Sequence, residues 1–311
     1  MVKIKQAPRQ HPSDEPDDPQ SVRETRFENR RLAALGIEPM TLSELRGRVP
    51  LAQLARPERV DFYLLMLVTS GKGMHTVDFV DWPLARGRLV FVRPGQVQRW
   101  STDERVAAEL VLIAPSALPY REGSAMPTEL ELLALDEWST GIALSDASAT
   151  EVAENLLRLR REFDRFDGAE LDVALIRHEL LAVLVRLAKL QRIAAANDTG
   201  GPTRRAIYRL FRRELDAGFT RHHDLRYYAQ RLGYAESTLS RACRAAEGRS
   251  AKQVIDRRIA LEAQRLLVHS TASVAQIAHR LGFSEATNFV KFFRRMVNRT
   301  PSEFRSEATV N

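Results

Sequence analysis

The sequence contains a single cysteine, Cys243, among 311 residues, so no disulfide can form within the chain. Small secreted domains that depend on disulfides are therefore excluded. Long apolar runs are also lacking. The run at residues 64–68 is far shorter than the roughly 20 residues that a membrane-spanning helix needs, and the N-terminus shows no signal-peptide pattern. We expect a cytoplasmic protein with no membrane partner.

Positive charge is unevenly distributed along the chain. From residue 203 onward there are 21 Lys and Arg residues against 10 Asp and Glu residues, a net of +11. Because the whole chain carries +7, the first 202 residues sum to −4. Clustered positive charge attracts phosphates and releases their counterions. The C-terminal third is therefore predicted to bind nucleic acid.

One pattern occurs twice in this basic region, at residues 228–238 and again at residues 277–287. Each copy is a short amphipathic helix, a Leu-Gly-aromatic break and the start of a second helix. Glycine permits the positive φ that a sharp turn between two helices needs, and Tyr234 and Phe283 are predicted to pack under their turns. Two unrelated helical hairpins are the alternative, but the shared residue identities favour a repeat. The pattern predicts two helix-turn-helix motifs that bind double-stranded DNA.

The second helix of each motif is predicted to enter the major groove. Its apolar positions, such as Leu239 and Phe289, should face the core, which leaves the polar positions for DNA. Arginine can pair with guanine, asparagine with adenine, and glutamate accepts from cytosine, although several contacts could involve only phosphate or water. The predicted DNA-binding residues are Ser237, Thr238, Ser240, Arg241, Arg244, Glu285, Ala286, Asn288, Lys291 and Arg299.

A helix with one apolar stripe is predicted between the motifs, over residues 250–267. About 17 residues at 1.5 Å each span about 25 Å. Such a spacer can place the two recognition helices in successive segments of the major groove, roughly 34 Å apart. Gly248 and Asn298 are expected to close the recognition helices, and Ser250 and Thr300 to cap the helices that follow.

The C-terminal part resembles the AraC family of bacterial transcriptional regulators. The resemblance rests on the first motif with its connecting helix, and on Ile277-Ala278, Leu281-Gly282-Phe283, Phe289, Phe292-Phe293 and residues 300–305. It covers about a hundred residues. The resemblance implies a sequence-specific regulator, more often an activator than a repressor, with RNA polymerase as a partner.

Short strands separated by glycine turns follow one another from about residue 40 to residue 115. Residues 60–68 are predicted to form a buried strand, residues 70–73 a hairpin turn, and residues 74–79, 87–95, 96–100 and 107–113 further strands. This pattern predicts a small antiparallel barrel of the jelly-roll type. Residues 71–100 are similar to the cupin-like sensing domain of many AraC-family members. The predicted fold is therefore α+β: a cupin-like antiparallel β-barrel with flanking helices, followed by an all-α double helix-turn-helix domain.

A barrel of this size can hold one small organic effector. The predicted effector-binding residues are His75, Asp78, Arg93, Gln96, Gln98 and Trp100. Catalytic cupins use several histidines and a carboxylate to hold a metal, whereas His75 has no second histidine in the predicted barrel. We therefore expect no metal, no cofactor, no catalytic residue and no enzymatic activity.

Two helices are predicted between about residues 149 and 195. Their apolar stripes consist of Val152, Leu156, Leu157, Leu159 and Phe163, and of Leu171, Ala174, Leu175, Leu180, Leu181, Leu184, Val185 and Leu187. These helices can cover the open side of the barrel, and the resemblance implies that they form a homodimer interface. Both interpretations remain open.

The predicted organisation is a disordered tail at 1–28, a barrel at 29–148, a helical cover or dimerisation segment at 149–196, a linker at 197–203 and the DNA-binding domain at 204–306. The leading function is an effector-responsive transcriptional regulator. The alternatives are a DNA-binding protein that needs no ligand, and a metal-dependent cupin enzyme with an accessory DNA-binding domain.

Overall fold

The computed structural model describes residues 23–27, 35–100, 105–118, 133, 135, 138–196 and 202–310. These residues fall into two compact units, of which the first ends at Ile193 and the second begins at Ala194. Most of the tail predicted at 1–28 and residues 197–201 of the predicted linker lie outside the described residues. Pro202 and Thr203, assigned to the linker, instead begin a helix, because proline is well suited to a first helical turn.

The first unit is built on two five-stranded sheets. The strands in the described residues are β1 (Arg23–Thr25), β2 (Ile37–Thr41), β3 (Glu58–Val60), β4 (Tyr63–Ser70), β5 (Lys72–Val77), β6 (Val80–Ala85), β7 (Arg88–Val92), β8 (Val97–Trp100), β9 (Ala107–Ile113) and β10 (Gly141–Ala143). The first sheet has the order β1-β3-β8-β5-β6, and the second has the order β10-β7-β4-β9-β2. The pairs are antiparallel except β1 with β3, which is parallel.

Alternation along β4 shows how the layers pack. Leu64 and Met66 belong to an apolar cluster that includes residues of both sheets, whereas Leu65 and Leu67 belong to a second cluster shared with two helices. Successive side chains of a strand point to opposite faces, so both faces of β4 are buried. The first unit therefore has three layers: sheet, sheet and helices.

Within the described residues, the α-helices of the first unit are α1 (Leu42–Arg48), α2 (Leu51–Leu54), α3 (Asp146–Arg165) and α4 (Glu170–Ala196), and Pro115–Ala117 form a short 3-10 helix. Helices α3 and α4 pack on the second sheet through Val152, Leu156, Leu180 and Leu184. Other members of the predicted stripes do not share this core. Leu157, Leu171, Leu175 and Val185 remain exposed, and Leu171 retains 83% of its accessible surface.

The structure of the first unit differs from three of the sequence predictions. The strands of the two sheets do not close into a single barrel within the described residues, although the architecture is compatible with a cupin-like fold. Residues 70–73 do not form a hairpin, since β4 and β5 belong to different sheets and Gly71, at φ 84°, carries the chain across. Residues 23–25, placed in the disordered tail, form β1 and pair with β3.

The second unit is helical in the part that the structure describes. Its helices are α5 (Pro202–Gly218), α6 (Leu225–Leu232), α7 (Glu236–Glu247), α8 (Ala251–His269), α9 (Val274–Arg280), α10 (Ala286–Val297) and α11 (Pro301–Val310). One apolar cluster runs from Ile207 in α5 to Phe304 in α11. The predicted caps are confirmed: Ser250 accepts from the Gln253 amide at 3.3 Å, and Thr300 from the Glu303 amide at 3.2 Å.

Candidate nucleic-acid interface and effector site

Helices α6 and α7 form the first predicted helix-turn-helix. Gly233 ends α6 in the left-handed conformation at φ 70°, and the amide N–H of Tyr234 donates to the carbonyl of Ala229 at 3.0 Å. This hydrogen-bond pattern closes a helix when glycine follows its last turn. Asp224 caps the start of α6 by accepting from the amide of Arg226. The first turn thus has the predicted geometry.

Helices α9 and α10 repeat the arrangement. Gly282 has φ 79°, and the amide N–H of Phe283 donates to the carbonyl of Ala278 at 3.0 Å. Gly248 and Asn298 close α7 and α10 at φ 69° and 59°, as predicted. The two copies therefore share the turn, the two helices and the left-handed C-cap.

The aromatic residues after the two glycines differ in environment. Phe283 is partly buried and packs against Phe289 and Phe292, with ring centroids 5.4 and 5.2 Å apart. The prediction that Phe283 packs under its turn is confirmed. For Tyr234 the same prediction is wrong, since this side chain retains 36% of its accessible surface. A phenol exposed at the start of a recognition helix can donate to a DNA phosphate, a role that sequence reasoning missed.

Helix α7 presents a polar face and an apolar face. Leu239, Ala242 and Cys243 are buried, whereas Ser237, Arg241 and Arg244 are exposed, and Thr238 and Ser240 are partly buried. The guanidinium of Arg241 donates to the Thr238 hydroxyl at 3.3 Å, which helps to hold the arginine over the first turn of the helix. The burial of Cys243 raises the pKa of its thiol to about 12. This cysteine belongs to the core and not to the surface.

Helix α10 likewise has an apolar face and a polar face. Phe289, Phe292 and Phe293 are buried, while Glu285, Asn288 and Lys291 are exposed. Ala286 is partly buried against the core, so its methyl group offers little surface for base contact. Arg299 is exposed but follows Asn298 at the opposite end of the helix from Asn288. A helix of this length spans roughly 16 Å, so Arg299 suits a phosphate better than the base pairs near Asn288.

Thr287 is a DNA-contact candidate that sequence reasoning missed. Its side chain is exposed on the first turn of α10 beside Asn288. The repeat carried the signal for it, because Thr287 matches Thr238, which was predicted to contact DNA. The DNA-binding residues as a set remain predictions, with each recognition helix presenting polar side chains on its exposed face.

Some predicted effector residues meet inside the first unit. His75 is fully buried, its Nε2 lies 3.2 Å from Oε1 of Gln98, and its ring contacts Trp100 with centroids 4.5 Å apart. The amide of Gln98 donates to Oε1 of Glu58 at 2.7 Å, and the indole of Trp100 donates to the same oxygen at 3.3 Å. Glu58, which the sequence analysis did not nominate, is therefore the centre of this cluster.

The imidazole of His75 is held neutral. Burial lowers the pKa of His75 to about 4, and the contact with Gln98 opposes this shift only in part. Within the described residues its Nδ1 has no hydrogen-bond partner. A buried polar atom left without a partner costs on the order of 1–3 kcal/mol. A ligand or water that satisfies Nδ1 would recover this energy.

The other predicted effector residues have structural partners of their own. Asp78, at φ 49° in the turn between β5 and β6, accepts from the Gln96 side chain at 2.7 Å and from the Val97 amide at 3.1 Å. Arg93 donates to the carbonyl of Trp138 at 2.8 Å. These contacts fix the ends of strands, so Asp78, Gln96 and Arg93 are less suited to bind an effector than the cluster around His75.

A cleft of about 630 Å³ lies elsewhere in the first unit, between α1 and β9. This volume is in the range of sites for small organic ligands. None of the predicted effector residues is among its lining residues, which are Thr41, Ser43, Arg46, Gly47, Leu51, Thr69, Val106, Ala107, Ala108 and Glu109. Burial raises the pKa of Glu109, while the nearby guanidinium of Arg160 lowers it. The sequence carried no signal for this cleft, because its walls come from distant segments.

In the part of the chain that the structure describes, no three His, Cys, Asp or Glu side chains group together as a metal site would require. Of the described helices, none combines the length and apolar character needed to span a bilayer.

Comparisons with known proteins agree with this geometry. A family model described as a helix-turn-helix domain matches residues 228–307, which cover both motifs. The chain is 25% identical over 267 residues to the HTH-type transcriptional activator RhaS of Yersinia pestis (strain Pestoides F), covering 85% of this chain and 93% of that protein. The match to RhaS of Yersinia pseudotuberculosis serotype O:1b has the same values. The similarity therefore extends through both units.

Solved structures give weaker likenesses. The chain is 13% identical to ToxT from Vibrio cholerae O395, with a TM-score of 0.38, over 81% of this chain and 91% of that one. It is 26% identical to the DNA-binding domain of AdpA in complex with a target DNA, with a TM-score of 0.31, over 33% of this chain and 93% of that one. TM-scores this low carry no weight for function.

Proposed function

We propose that this chain, which belongs to the AraC family of transcriptional regulators, activates transcription when a small organic molecule binds its first unit. The observation that carries the proposal is the pair of matched helix-turn-helix motifs in the basic second unit. Each motif has a left-handed glycine turn and a recognition helix whose polar face is exposed. The relatives described as activators make activation the favoured direction of control.

DNA recognition is tested by selection. The full chain should retain duplexes from a random library, and the retained sequences should contain two conserved half-sites about one helical turn apart. Affinity for the selected duplex should fall steeply as salt increases, because the +11 charge of the C-terminal region releases phosphate counterions. Binding that selects no sequence, or that is indifferent to salt, would contradict the proposal.

The effector has two candidate locations in the first unit. One is the buried cluster of His75, Gln98 and Trp100, where Nδ1 of His75 could pair with a ligand hydroxyl. The other is the cleft beside α1, which Ser43 and Thr69 help to line. Calorimetric screening should find a metabolite whose affinity changes when the selected duplex is present, since a ligand controls DNA binding only through such coupling. His75→Gln and Ser43→Ala then identify the location, according to which substitution weakens binding.

A second candidate function is a DNA-binding protein that needs no effector. The buried apolar cluster shared by the two sheets favours it, because a ligand that enters between the sheets would have to displace some of these side chains. A full metabolite screen without any coupled ligand would favour this second function. Transcription reconstituted from purified polymerase, the full chain and the selected duplex would then be the same with and without cell-extract metabolites.

Dimerisation through α3 and α4 is part of the proposal. Leu157, Leu171 and Leu175 are exposed although α3 and α4 already bury other leucines against the second sheet. Exposed apolar side chains of this kind favour burial against a second copy. Leu171→Glu should convert the dimer to a monomer in light scattering, whereas Leu180→Val in the core should not. A wild-type chain that is monomeric at high concentration would contradict a dimer.

Three further statements complete the proposal: the protein is cytoplasmic, has no enzymatic activity and contacts RNA polymerase at its promoters. Purified protein should contain no stoichiometric iron, manganese, zinc or nickel by elemental analysis. Transcription reconstituted from purified polymerase and the selected duplex should increase when the full chain is added. One metal per chain, or reconstituted transcription that does not respond, would contradict the corresponding statement.

A further inference from the structure

A short segment before the first motif lies against the turn of the second motif. It comprises residues 220–223, between α5 and α6, and is called the bridge segment below. A Cβ built at Gly282 would lie only 2.3 Å from the carbonyl oxygen of Thr220. The backbone of the bridge segment therefore touches the backbone of the second turn, about sixty residues further along the chain.

His223 makes the polar contact of this interface. Because a carbonyl can only accept, the Nε2 of His223 carries the proton and donates to the carbonyl of Leu281 at 2.7 Å. The imidazole ring also packs on Phe283, with ring centroids 4.8 Å apart. Phe283 in turn contacts Phe289 of the second recognition helix. His223 is thus one side chain away from the core of the second motif.

The same segment is attached to the first motif and to the connecting helix. The hydroxyl of the buried Tyr228 in α6 donates to the carbonyl of His222 at 2.7 Å, and the ring of His222 stacks on Tyr227. The ammonium of Lys252 in α8 donates to the carbonyl of His223 at 3.0 Å and pairs with Asp256 at 2.7 Å. Of these two adjacent histidines, His222 contacts the first motif with its ring, and His223 contacts the second motif with its ring.

We propose that the bridge segment fixes the orientation of the two recognition helices relative to each other, with His223 as the positioning residue. The covalent path between the motifs runs through α8 and two short non-helical connections, and rotation at these connections would reorient the motifs. The contacts of His223 with Leu281 and Phe283 oppose such rotation. The bridge segment thereby determines which spacing of DNA half-sites the protein accepts.

The physical reason is effective concentration. When the first motif has bound its half-site, a rigid connection holds the second motif close to a second half-site at one particular spacing, where its effective concentration is high. At any other spacing the effective concentration of the second motif is close to zero. A flexible connection spreads the same motif over many positions, so that it tolerates other spacings but binds each less tightly. Rigidity in the free protein and strict spacing on DNA are therefore linked.

Rigidity is tested in the free, full-length protein. Spin labels are attached at Ala246→Cys in α7 and Arg294→Cys in α10, where both positions are exposed. Cys243 should not compete for label, because it is buried and its thiol is largely protonated. The wild-type background should give one narrow distance distribution and His223→Ala a distribution about twice as broad. His223→Gln, which retains a side-chain N–H donor, should keep the narrow distribution. His222→Ala should keep it too, because the hydroxyl of Tyr228 still donates to the backbone carbonyl of residue 222 and holds the bridge segment to the first motif.

Spacing is tested on DNA selected by the wild-type chain, and only this readout rests on the proposed function. Inserting one or two base pairs between the half-sites should weaken wild-type binding on the order of 100-fold, and binding of His223→Ala only about 10-fold. Affinity for a duplex with a single half-site should be unchanged. The His222→Ala control should keep the wild-type penalty.

Several outcomes would overturn the inference. One is a distance distribution of His223→Ala as narrow as that of the wild type. A second is a loss of affinity on base-pair insertion that is the same for His223→Ala as for the wild type. A third is that His223→Ala loses as much affinity for a single half-site as for two half-sites at the native spacing. If His223→Ala lowers the helical circular dichroism signal, Lys252→Ala replaces it, with the same broadening expected. Failure of the wild type to select any sequence would contradict the DNA proposal but leave the distance result standing.

Discussion

The two helix-turn-helix motifs have the same local structure but different surroundings. Gly233 and Gly282 adopt nearly the same φ, 70° and 79°. No heavy atom of the described residues lies within 4 Å of a Cβ built at Gly233, apart from its immediate neighbours, whereas a Cβ at Gly282 would collide with Thr220. One turn is open and the other is part of an interface. Equivalent substitutions in the two copies of the motif should therefore destabilise the protein to different degrees.

The largest difference is expected between the two glycines. Gly282→Ala should lower the free energy of unfolding by about 3 kcal/mol, because a left-handed alanine is strained and its methyl group meets the Thr220 carbonyl. Gly233→Ala should cost only about 1 kcal/mol, from the backbone conformation alone. Urea denaturation of the full chain, followed by far-ultraviolet circular dichroism, measures both values.

An internal control is available for this measurement. All three tryptophans, Trp82, Trp100 and Trp138, lie in the first unit, so their fluorescence reports on that unit alone. Neither glycine substitution should shift the fluorescence transition. Equal destabilisation by the two alanines would show that the contact with Thr220 has no energetic role.

The aromatic residues that follow the glycines should differ next. Phe283→Ala removes a ring packed against His223, Phe289 and Phe292 and should cost about 2–3 kcal/mol of stability. Tyr234→Ala should change stability by less than about 0.5 kcal/mol, because the ring is exposed. If the Tyr234 hydroxyl contacts a DNA phosphate, Tyr234→Ala and Tyr234→Phe should both weaken DNA binding. If it makes no such contact, Tyr234→Phe should bind DNA like the wild type. A large loss of stability in Tyr234→Ala would remove the contrast.

Arg241 of α7 and Lys291 of α10 occupy matching positions in the two recognition helices, and their substitutions should affect DNA binding differently. Arg241→Ala should weaken binding to the selected duplex by about 1–3 kcal/mol and relax the preference at one base position, because a guanidinium can pair with guanine through two hydrogen bonds. Lys291→Ala should weaken selected and random duplexes alike and reduce the salt slope by about one, as expected for a phosphate contact. Anisotropy titrations at several salt concentrations measure both. If Arg241→Ala weakens both duplexes equally, Arg241 is also a phosphate contact.

The smallest difference concerns the ends of the recognition helices. Gly248 and Asn298 occupy equivalent left-handed positions at φ 69° and 59°. Asn298→Gly should stabilise the second motif by less than about 1 kcal/mol, and Gly248→Asn should destabilise the first by a similar amount, since glycine meets no steric penalty there. Thermal denaturation of the two single variants and the double swap measures these small shifts. A stabilising Gly248→Asn would contradict this account.

The sequence predicted the second unit in more detail than the first. Its caps, turns and apolar stripes depend on residues within about five positions, and Gly233, Gly282, Ser250 and Thr300 all adopt the predicted local structures. In the first unit, β6 was not recognised, and the chain between β4 and β5 was predicted as a hairpin. A hairpin and a crossing between sheets can begin with the same turn residues, and only the pairing of distant strands distinguishes them.

The candidate sites show the same division. Periodicity alone identified the exposed faces of α7 and α10, because a helix determines its own faces. Glu58 could not be identified in this way, since its partners Gln98 and Trp100 are about forty residues away. The cleft beside α1 was missed for the same reason, because its lining residues come from three separate segments, 41–51, 69 and 106–109.

The sequence by itself determined where the helices turn and end, because glycine, asparagine, serine and threonine favour those local conformations with whatever neighbours they have. Only the tertiary structure decided that the turn at Gly282 touches a distant segment of the chain and that the turn at Gly233 is open. That difference comes from the carbonyl of Thr220 and the imidazole of His223, which reach the second turn from about sixty residues away. Local conformational energy repeats with the motif, whereas contact energy depends on which distant segment packs against each copy.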